Sequence, residues 1–288
     1  MKGIVLSGGS GTRLYPMTRA ANKQLLPVYN KPKVYYSLST LMLAGCRDIL
    51  LVVNPHDVEA YHRLFGDGRQ WGLAISYAIQ DRPGGIAECF ILGRNFIGNE
   101  RVGLILGDNL FYGDALPALA ERGAQASGAV VYAYWVADPE AYGVVEFDAS
   151  GAAVSIVEKP KEPRSNWAVT GLYFYDADVC DVAATIPRSA RGELEISDVN
   201  AHYLKQGRLT VEKLGRGYAW LDTGSPVSLL RAAQFVETVE ERQGLQIGCP
   251  EEVAWRKGYI DNEGLARLIE PIKQSEYGKY LQRLLTRG

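Results

Sequence analysis

The amino-acid sequence predicts an α/β fold built on a mainly parallel sheet, and three observations support it. In the first half of the chain, apolar β-branched runs alternate with helical patterns, as in a parallel sheet covered by helices. After Val131 short strands joined by turns indicate an inserted β-hairpin region. From about residue 226 apolar residues recur at helical spacing. We therefore expect a doubly wound, Rossmann-like mixed sheet flanked by helices, with an inserted hairpin region and a helical C-terminal appendage.

Buried apolar runs predict the first four strands, at residues 4–6, 48–53, 75–79 and 102–106. Helices are expected in the intervals between them. Residues 34–44 have helical apolar spacing and end at Gly45, and Asp57 is the expected N-cap of a helix that runs to Phe65. Strand and helix thus alternate through the first hundred or so residues.

In the second half, residues 143–148 and 153–157 flank a turn at 149–151 and predict a β-hairpin. Residues 172–175 form another aromatic strand, and Ser197 is the expected cap of a helix that stops at Gly207. Pro226 is placed at the start of a further helix. No linker composition or long-period repeat divides the chain, so we predict one main domain, residues 1–225, followed by a helical region, residues 226–288.

The composition excludes several classes of protein. Hydrophobic residues make up 47% and charged residues 22% of the 288 residues, which is typical of a folded globular chain. With 31 Lys and Arg against 33 Asp and Glu, there is no broad basic field for polymeric nucleic acid. The longest apolar stretch, residues 129–137, is far shorter than the roughly 20 residues that span a membrane. With no signal-peptide apolar segment near the N-terminus, we expect a cytoplasmic protein without a membrane partner.

The chain has few residues arranged for cysteine or histidine chemistry. The four cysteines are tens of residues apart, without the paired spacing of a zinc site or a dithiol motif, and they fit a reducing compartment. Only three histidines occur, and His56 and His62 are not spaced as a metal-binding pair on one helix face. Catalysis centred on histidine is therefore disfavoured.

The segment directly after the first strand is a candidate phosphate-binding loop. Its glycines let backbone N–H groups turn toward an anion, and Arg13 adds positive charge. A Walker A loop would need Gly-Lys followed by Ser or Thr, and a dinucleotide fingerprint would need glycine in place of Leu14, so both fail. A tight turn of small residues remains the alternative. Lys23, close by in sequence, either completes the phosphate site or is an ordinary exposed lysine.

Two acids follow strands and could share one metal ion. Asp108 comes directly after the fourth strand, at the edge where doubly wound sheets bind ligands. Asp222 follows a short aromatic strand. One or two carboxylates with substrate oxygens suit Mg²⁺, whereas either Asp could instead start a helix. The approach of the two carboxylates in space distinguishes these alternatives.

Polar residues also flank the predicted hairpin, at Tyr142-Gly143 and Glu158-Lys159-Pro160. Glu158 could bind hydroxyl groups and Lys159 a phosphate, so the set suits a sugar phosphate. The alternative is a simple turn at the end of a strand, because Pro160 prevents further ladder pairing.

Taken together, these segments resemble the sugar-1-phosphate nucleotidylyltransferase family, and most closely its branch that uses thymidine triphosphate (dTTP) and glucose-1-phosphate. The resemblance extends over nearly the whole chain. It rests on several motifs in order, at residues 8–14, 23–27, 35–45, 106–109, 142–147, 158–160, 169–173, 191–196 and 217–224.

The resemblance implies a magnesium-dependent enzyme that condenses dTTP with glucose-1-phosphate to dTDP-glucose and pyrophosphate. A phosphate oxygen of the sugar attacks the α-phosphorus in line, without a covalent intermediate. The scarcity of histidine is consistent with this reaction, because the attacking oxygen is already ionised and the step depends on positioning and charge neutralisation. Alternatives are a preference for UTP or another hexose-1-phosphate, and a non-catalytic sugar-nucleotide sensor. A dehydrogenase is disfavoured by Arg13 and Leu14.

The resemblance also implies a role for each matching residue. The catalytic residues would be Arg13, Lys23, Asp108, Lys159 and Asp222, of which Asp108 and Asp222 bind Mg²⁺. Those implied to bind the nucleotide are Gly8, Gly9, Ser10, Gly11, Thr12, Arg13, Lys23, Gln24, Gln80 and Gly85, with Gln80 and Gly85 reading a thymine or uracil edge. Those implied to bind the sugar phosphate are Asn109, Tyr142, Gly143, Glu158, Lys159 and Val169.

In this family the C-terminal helices build a homotetramer and a secondary nucleotide pocket. Residues 1–225 are thus expected to be the nucleotidyltransferase core, and residues 226–288 to serve packing, oligomerisation and regulation. The regulatory candidates are Tyr112, Gly113, Glu252 and Arg256.

The sequence departs from the family pattern at Lys33, Ser37, Gly84, Cys89 and Asp114. Lys33 stands at a helix start, where its charge opposes the helix dipole unless an acid or phosphate pairs with it. Gly84 stands where an acid is common, and Asp114 puts feedback control in question.

Overall fold

The computed structural model describes residues 1–287, and Gly288 lies outside the described residues. The strands are β1 (Lys2–Ser7), β2 (Pro27–Val28), β3 (Lys31–Pro32), β4 (Asp48–Val53), β5 (Ala74–Ile79), β6 (Val102–Leu106), β7 (Asn109–Gly113), β8 (Ala129–Trp135), β9 (Gly143–Phe147), β10 (Ala153–Glu158), β11 (Trp167–Tyr175), β12 (Leu209–Leu214) and β13 (Tyr218–Asp222). The helices are α1 (Lys33–Leu43), α2 (Val58–Phe65), α3 (Glu88–Leu92), α4 (Arg94–Ile97), α5 (Leu116–Gln125), α6 (Val179–Thr185), α7 (Ile196–Lys205), α8 (Pro226–Gln243), α9 (Pro250–Arg256), α10 (Asn262–Ile269) and α11 (Glu276–Arg287).

Nine of these strands form one mixed sheet with the order β10-β9-β11-β6-β1-β4-β5, and β8 and β12 continue from β11. Strands β6, β1, β4 and β5 are parallel, with Ile4 opposite Leu50 and Leu104. Strand β11 is antiparallel to β6, β8 and β9. Because crossover helices cover both faces, the parallel strands carry continuous apolar runs. The predicted fold class is confirmed.

Local sequence signals placed most elements correctly. The predicted strands at 48–53 and 102–106 match β4 and β6, and the predicted hairpin is formed by β9 and β10. Pro226 starts α8, where Ser225 and Ser228 form a reciprocal capping box. The structure therefore follows the sequence wherever an apolar run or a cap is complete within a few residues.

The predicted cap Ser197 is wrong, and Asp57 is the N-cap residue of α2 as predicted but without a capping hydrogen bond. Asp57 precedes α2 but makes no capping hydrogen bond, because its carboxylate accepts hydrogen bonds from the side chains of Asn22 and Asn54. Ser197 lies inside α7, and its hydroxyl donates a hydrogen bond to Glu158 Oε2 at 2.6 Å. In both cases the side chain bonds other side chains in place of the helix backbone.

The two faces of the sheet bury separate apolar cores. Leu38 of α1 and Phe65 of α2 lie in one, and Phe90 of α3 and Val199 of α7 lie in the other. Ala254 of α9 is also buried in the first core, so this C-terminal helix packs directly on the sheet domain. Within the described residues, no helix combines the length and apolarity that a membrane crossing requires.

The loops that carry polar residues collect at one edge of the sheet. Strands β1, β4 and β6 run parallel and end side by side at Ser7, Val53 and Leu106. A second, two-stranded sheet pairs β7 with β13 and brings Asp222 opposite Asn109. Segments separated by more than a hundred residues therefore meet at this edge.

Candidate active site

The glycine loop after β1 is held in shape by an asparagine from the neighbouring strand. Gly9 and Gly11 have φ angles of 97° and 60°, which favour glycine. Asn54 accepts a hydrogen bond from Gly9 N at 3.2 Å and donates one to Gly9 O at 3.3 Å. Sequence reasoning missed Asn54, although its position directly after β4, at the ligand-binding edge, could have indicated it.

A buried amide network supports this loop from below. Asn22 donates hydrogen bonds to Ser7 O at 3.3 Å and to Asp57 Oδ2 at 2.6 Å. Gln24 donates one to Gly8 O at 3.2 Å, so its side chain contacts the loop as expected. A cleft of about 430 Å³ opens beside Gly9 and Ser10. The loop is thus a fixed wall of a polar cleft.

Lys23 and Asp108 form an ion pair at this wall. The Lys23 ammonium donates to Asp108 Oδ2 at 2.6 Å, and a methyl group built on Gly9 would lie 3.6 Å from Lys23 Cε. The surface-lysine alternative is therefore excluded. Burial opposes ionisation of Asp108, but Lys23 and Lys33 together hold the pKa of its carboxyl below the usual value. Asn109 begins a strand, so Asp108 does not cap a helix.

Asp222 lies beside Asp108, as a shared site requires. Thr223, the next residue, donates its hydroxyl to Asp108 O at 2.8 Å. Asp222 is also opposite Asn109 in the small sheet. Burial raises the pKa of Asp222, and the nearby negative charge of Asp108 raises it further. The cap of the helix that follows is Ser225, so Asp222 is not a capping residue.

Arg13 reaches the same place from the glycine loop. A methyl group built on Gly224 would lie 2.8 Å from Arg13 Nη2 and 3.2 Å from Asp222 Oδ1. The structure thus brings Arg13, Lys23, Asp108 and Asp222 together next to the glycine loop, and Lys23 also lines the cleft beside that loop. Ser10 and Thr12 lie in the same loop, between Gly9 and Arg13.

Lys33 is the buried member of this cluster. Its side chain is almost fully buried at the start of α1, and its ammonium donates to Thr223 O at 2.9 Å. Burial lowers the pKa of Lys33 to about 8, although the nearby charges of Asp108 and Asp222 oppose the shift. A lysine charge at a helix start opposes the helix dipole, and the charges of Asp108 and Asp222 near Lys33 compensate for it.

The residues present fit a divalent metal ion. Buried carboxylates such as Asp108 and Asp222, next to an anion-binding loop, are the oxygen ligands that Mg²⁺ prefers, and the charge of Asp108 opposes ionisation of Asp222 until a cation is present. No group of three or more His, Cys, Asp or Glu side chains in the part of the chain that the structure describes could hold a metal by itself. The pair leaves coordination positions for substrate oxygens and water, which is the usual arrangement for Mg²⁺.

The residues that flank the hairpin form a second group, next to Trp220. Tyr142 packs edge-on against Trp220, with ring centroids 5.1 Å apart. Glu158 accepts from Ser197 and lies 3.6 Å from the Lys159 ammonium. The backbone N–H of Lys159 donates to Tyr142 O at 3.0 Å, and Lys159 has a φ of 43°, a left-handed conformation that is rare outside glycine. This is more than a plain turn, since the strained backbone fixes the direction of Lys159.

Gly143 and Val169 form the floor between these side chains. A methyl group built on Gly143 would lie 2.8 Å from Ser197 Oγ and 3.4 Å from Glu158 Oε2. It would also lie 3.9 Å from Val169 Cβ. Any larger residue at position 143 would therefore displace Glu158 or Ser197, which explains the glycine.

Asn109 is engaged within the protein. Its Oδ1 accepts hydrogen bonds from Trp220 Nε1 at 2.6 Å and Gly171 N at 3.0 Å, and its Nδ2 donates to Asp108 Oδ1 at 3.2 Å. Its clearest role in the geometry is to orient Asp108. Trp220, whose indole N–H fixes Asn109, was not selected from the sequence because a lone aromatic residue carries no distinctive signal.

Gln80 and Gly85, the residues predicted to read a base, lie near Gly8. A methyl group built on Gly8 would lie 2.6 Å from Gln80 Oε1, and Gln80 Nε2 lies 3.4 Å from Gly85 O. Gly85 has a φ of 100°, and a methyl group there would lie 2.3 Å from Leu194 O, so only glycine fits. The predicted base site thus borders the glycine loop.

The four regulatory candidates lie in two separate pairs. Tyr112 exchanges hydrogen bonds with Gln243 of α8 at 2.7 Å, and Gly113 pairs with Tyr218 in the small sheet. Glu252 and Arg256 form an ion pair one turn apart on α9, at 2.7 Å. Among the described residues no hydrogen bond or ion pair links the two pairs.

Comparison with known proteins identifies the family of the chain. The model of the nucleotidyl transferase family matches residues 2–239. The chain is 58% identical over its whole length to the full length of a glucose-1-phosphate thymidylyltransferase of Mycobacterium tuberculosis. It is 56% identical, over all of this chain and 98% of the relative, to a glucose-1-phosphate thymidylyltransferase of Xanthomonas campestris.

A solved structure is similar as well. The crystal structure of a candidate glucose-1-phosphate thymidylyltransferase from Bacillus anthracis, in complex with sucrose, superimposes with a TM-score of 0.75 at 42% identity. The match covers 82% of this chain and 94% of that one. With the family model, the full-length relatives and the shared fold in agreement, this chain belongs to the nucleotidyl transferase family, in the group of the glucose-1-phosphate thymidylyltransferases.

Proposed function

We propose that the protein condenses dTTP with glucose-1-phosphate to give dTDP-glucose and pyrophosphate. The observation that carries this proposal is the approach of Asp108 and Asp222 beside the glycine loop, with Lys23 and Arg13 at the same point. Two acids and two cations around a polar cleft suit a polyphosphate that is bound through both its oxygens and a cation. Full-length relatives at 58% and 56% identity carry the name of this activity.

In the proposal, the glycine loop and Gln24 bind the triphosphate side of the nucleotide, and Gln80 and Gly85 bind the base. The support is geometric: Asn54 fixes the loop through the N–H and C=O groups of Gly9, and Gly9 and Gly11 have the positive φ angles that let a loop turn its remaining N–H groups toward an anion. Lys23 would exchange part of its contact with Asp108 for a phosphate oxygen. Its ammonium has three donors, and within the described residues only Asp108 accepts from it.

Asp108 and Asp222 would hold Mg²⁺. When bound, such an ion neutralises phosphate charge and stabilises the negative charge that grows on the pyrophosphate leaving group. Arg13 acts on the same charge from the glycine loop. Asn109 and Thr223 hold Asp108 in position next to Asp222. Asn109 donates to the Asp108 carboxylate at 3.2 Å, and Thr223 donates to the Asp108 carbonyl at 2.8 Å.

Glucose-1-phosphate is proposed to bind on the hairpin side. Lys159 binds its phosphate, Glu158 accepts hydrogen bonds from sugar hydroxyls, and Tyr142, Gly143 and Val169 form the wall. No side chain has to remove a proton, since the attacking phosphate oxygen is already ionised near neutral pH. Alignment of this oxygen with the α-phosphorus is then the main contribution of the protein.

The deciding experiment is pyrophosphate release with four nucleoside triphosphates and several sugar phosphates. We expect dTTP with glucose-1-phosphate to give the highest kcat/KM, and UTP the next. Asp108→Asn should lower turnover by at least about 10²-fold, and weaken Mn²⁺ binding measured by titration. Asp148→Asn, at an exposed hairpin turn, is the matched control.

Two results would change the proposal. A higher kcat/KM with UTP would keep the chemistry and replace the nucleotide. Tight nucleotide binding with background pyrophosphate release for every substrate pair would indicate a sugar-nucleotide sensor instead.

We further propose that the protein acts in the cytoplasm as a homotetramer. Its substrates are intracellular metabolites, and its four cysteines are buried as free thiols. Val227 and Leu230, about one turn apart on α8, are 57% and 59% exposed, which provides an apolar surface for a second copy. Light scattering coupled to size exclusion tests the assembly, and a monomer at micromolar concentration would contradict it.

A further inference from the structure

The side-chain amide of Gln80 has only one of its two ends engaged. Gln80 follows β5 and is 5% exposed. Its Nε2 donates to Glu88 Oε2 at 2.8 Å and lies 3.4 Å from Gly85 O. Within the described residues no group donates a hydrogen bond to Oε1, which lies against Gly8. An acceptor without a donor within the protein, at the border of the glycine loop, can receive a hydrogen bond from a ligand N–H.

Glu88 determines which way this amide faces. A carboxylate can only accept hydrogen bonds, so the Gln80 group that meets it has to be the NH₂ group. The opposite orientation would place the amide oxygen against the negative charge and lose the hydrogen bond. Oε1 is therefore directed to Gly8 as an acceptor.

Glu88 is in turn fixed by its surroundings. Arg188 donates to Glu88 Oε1 at 3.1 Å and anchors itself to Gly84 O at 3.2 Å and Gly192 O at 2.8 Å. A methyl group built on Gly84 would lie 2.0 Å from Glu88 Oε2. The carboxylate thus occupies the space that any side chain at position 84 would need, and the departure from the family pattern at Gly84 has a physical consequence.

We propose that Glu88 is a positioning residue for base selection, which holds the Gln80 amide so that only its oxygen faces the nucleotide base. Thymine and uracil present a ring N3–H that can donate to this oxygen. Cytosine has a lone pair at N3, which would meet the lone pair of Oε1 with no hydrogen bond between them. This inference rests on the proposed function, since it assumes that Gln80 contacts the base.

The test is the ratio of kcat/KM for dTTP to kcat/KM for dCTP, with glucose-1-phosphate as the second substrate. A carboxamide at position 88 can donate or accept, so in Glu88→Gln the Gln80 amide can turn and offer an N–H to cytosine. We expect the ratio to fall about 10- to 100-fold, mainly through the two nucleotide KM values, because a correctly matched hydrogen-bond pair carries discrimination of this order. Glu263→Gln, the same change at an exposed α10 position, should leave the ratio unaltered.

Gly84→Ala is an independent second variant. It keeps the carboxylate but forces it away from Gln80, so it should lower the same ratio in the same direction. A purely structural role for Glu88 would reduce kcat/KM for both nucleotides by equal factors and leave the ratio unchanged. Thermal unfolding of each variant identifies a loss of fold.

An unchanged ratio in folded Glu88→Gln and Gly84→Ala would overturn the inference. Failure of the proposed function is a different observation: the unaltered protein would then release no pyrophosphate from dTTP and glucose-1-phosphate.

Discussion

Two lysine–carboxylate pairs in this protein have the same chemistry and opposite surroundings. Lys23 contacts Asp108 at 2.6 Å in the cleft, with side-chain exposures of 20% and 10%. Lys31 contacts Glu240 at 2.8 Å beneath α8, with exposures of 2% and 3%. The two pairs differ in burial and in their other hydrogen-bond partners. A ligand can reach the Lys23–Asp108 pair, whereas the Lys31–Glu240 pair is closed to ligands and only stabilises the fold.

The buried pair is saturated. Glu240 Oε1 also accepts from Ile247 N at 2.8 Å, its Oε2 accepts from Asn30 at 3.1 Å, and the Lys31 ammonium lies 4.9 Å from the centre of the Tyr36 ring. Burial lowers the pKa of Lys31, while Glu240 opposes the shift. The polar atoms of this pair are therefore engaged within the protein, and they connect α8 to the start of β3 and the residue before it.

The pair in the cleft is not saturated. Lys23 keeps free donors, and Asp108 faces a second carboxylate and a second ammonium, so the pair gains partners when an anion and a cation arrive. This contrast predicts effects on stability for one pair and effects on catalysis for the other.

The largest effect is expected from Lys31→Met. Removing the ammonium leaves the Glu240 charge buried without its counterion, which should lower the free energy of unfolding by about 3–5 kcal/mol. Urea unfolding followed by tryptophan fluorescence measures it. The double variant Lys31→Met with Glu240→Leu removes the unpaired charge and should recover part of the loss, because Ile247 N and Asn30 then lack their acceptor. A loss below about 1 kcal/mol for the single variant would remove the contrast between the pairs.

Arg13→Ala should affect turnover and spare stability. Arg13 is exposed at the cleft and directed to the space beside Asp222, so its loss should lower kcat by about 10²- to 10³-fold, equivalent to about 2.7–4 kcal/mol. Steady-state pyrophosphate release measures kcat. Arg63→Ala, on the exposed face of α2, is the control, and near-normal turnover in Arg13→Ala would refute the role.

Lys23→Met should act mainly on nucleotide binding. We expect the KM for dTTP to rise about 10-fold or more, because a charge-assisted contact contributes about 1.5–3 kcal/mol. The loss of stability should be smaller than in Lys31→Met, since Asp108 keeps the nearby Lys33 charge. Equal losses of stability in Lys23→Met and Lys31→Met would show that the Lys23–Asp108 pair contributes to the fold as much as the buried Lys31–Glu240 pair does.

The smallest effect is expected from Lys33→Met. This variant tests how the charge of Lys33, close to Asp108 and Asp222, changes stability with pH. Burial lowers the pKa of Lys33 to about 8 in the folded protein, against an ordinary value of 10.5. The unfolded chain therefore binds more protons between these values, and the stability of the metal-free protein should rise with pH in this window. Relative to Lys33→Met, the rise should be about 1–2 kcal/mol from pH 8 to 9.5.

Unfolding of both proteins in EDTA at several pH values provides the measurement. The difference between them isolates Lys33, because the tyrosines titrate equally in each. Parallel stability curves would contradict the shifted pKa.

How much of the site could be predicted depended on how far its contacts reach along the chain. The glycine loop, Asp108 and Asp222 could be selected because each directly follows a strand at a known ligand edge. Asn54 satisfies the same condition and was overlooked. Glu88 could not be selected, because an acid at the start of a short helix is ordinary until its distance to Gln80 is known.

The sequence by itself determined the alternation of strands and helices, as at β4 and β6, and the start of α8 at Pro226, because apolar runs, helical spacing and caps act within a few residues. Only the tertiary structure decided the partners of polar side chains. The side chain of Ser197 bonds Glu158 and that of Asp57 bonds two asparagines, in place of a helix backbone N–H. Lys33 bonds Thr223, which is 190 residues away. A buried hydrogen-bonding group takes whichever partner the fold brings within about 3 Å, and chain order does not specify that partner.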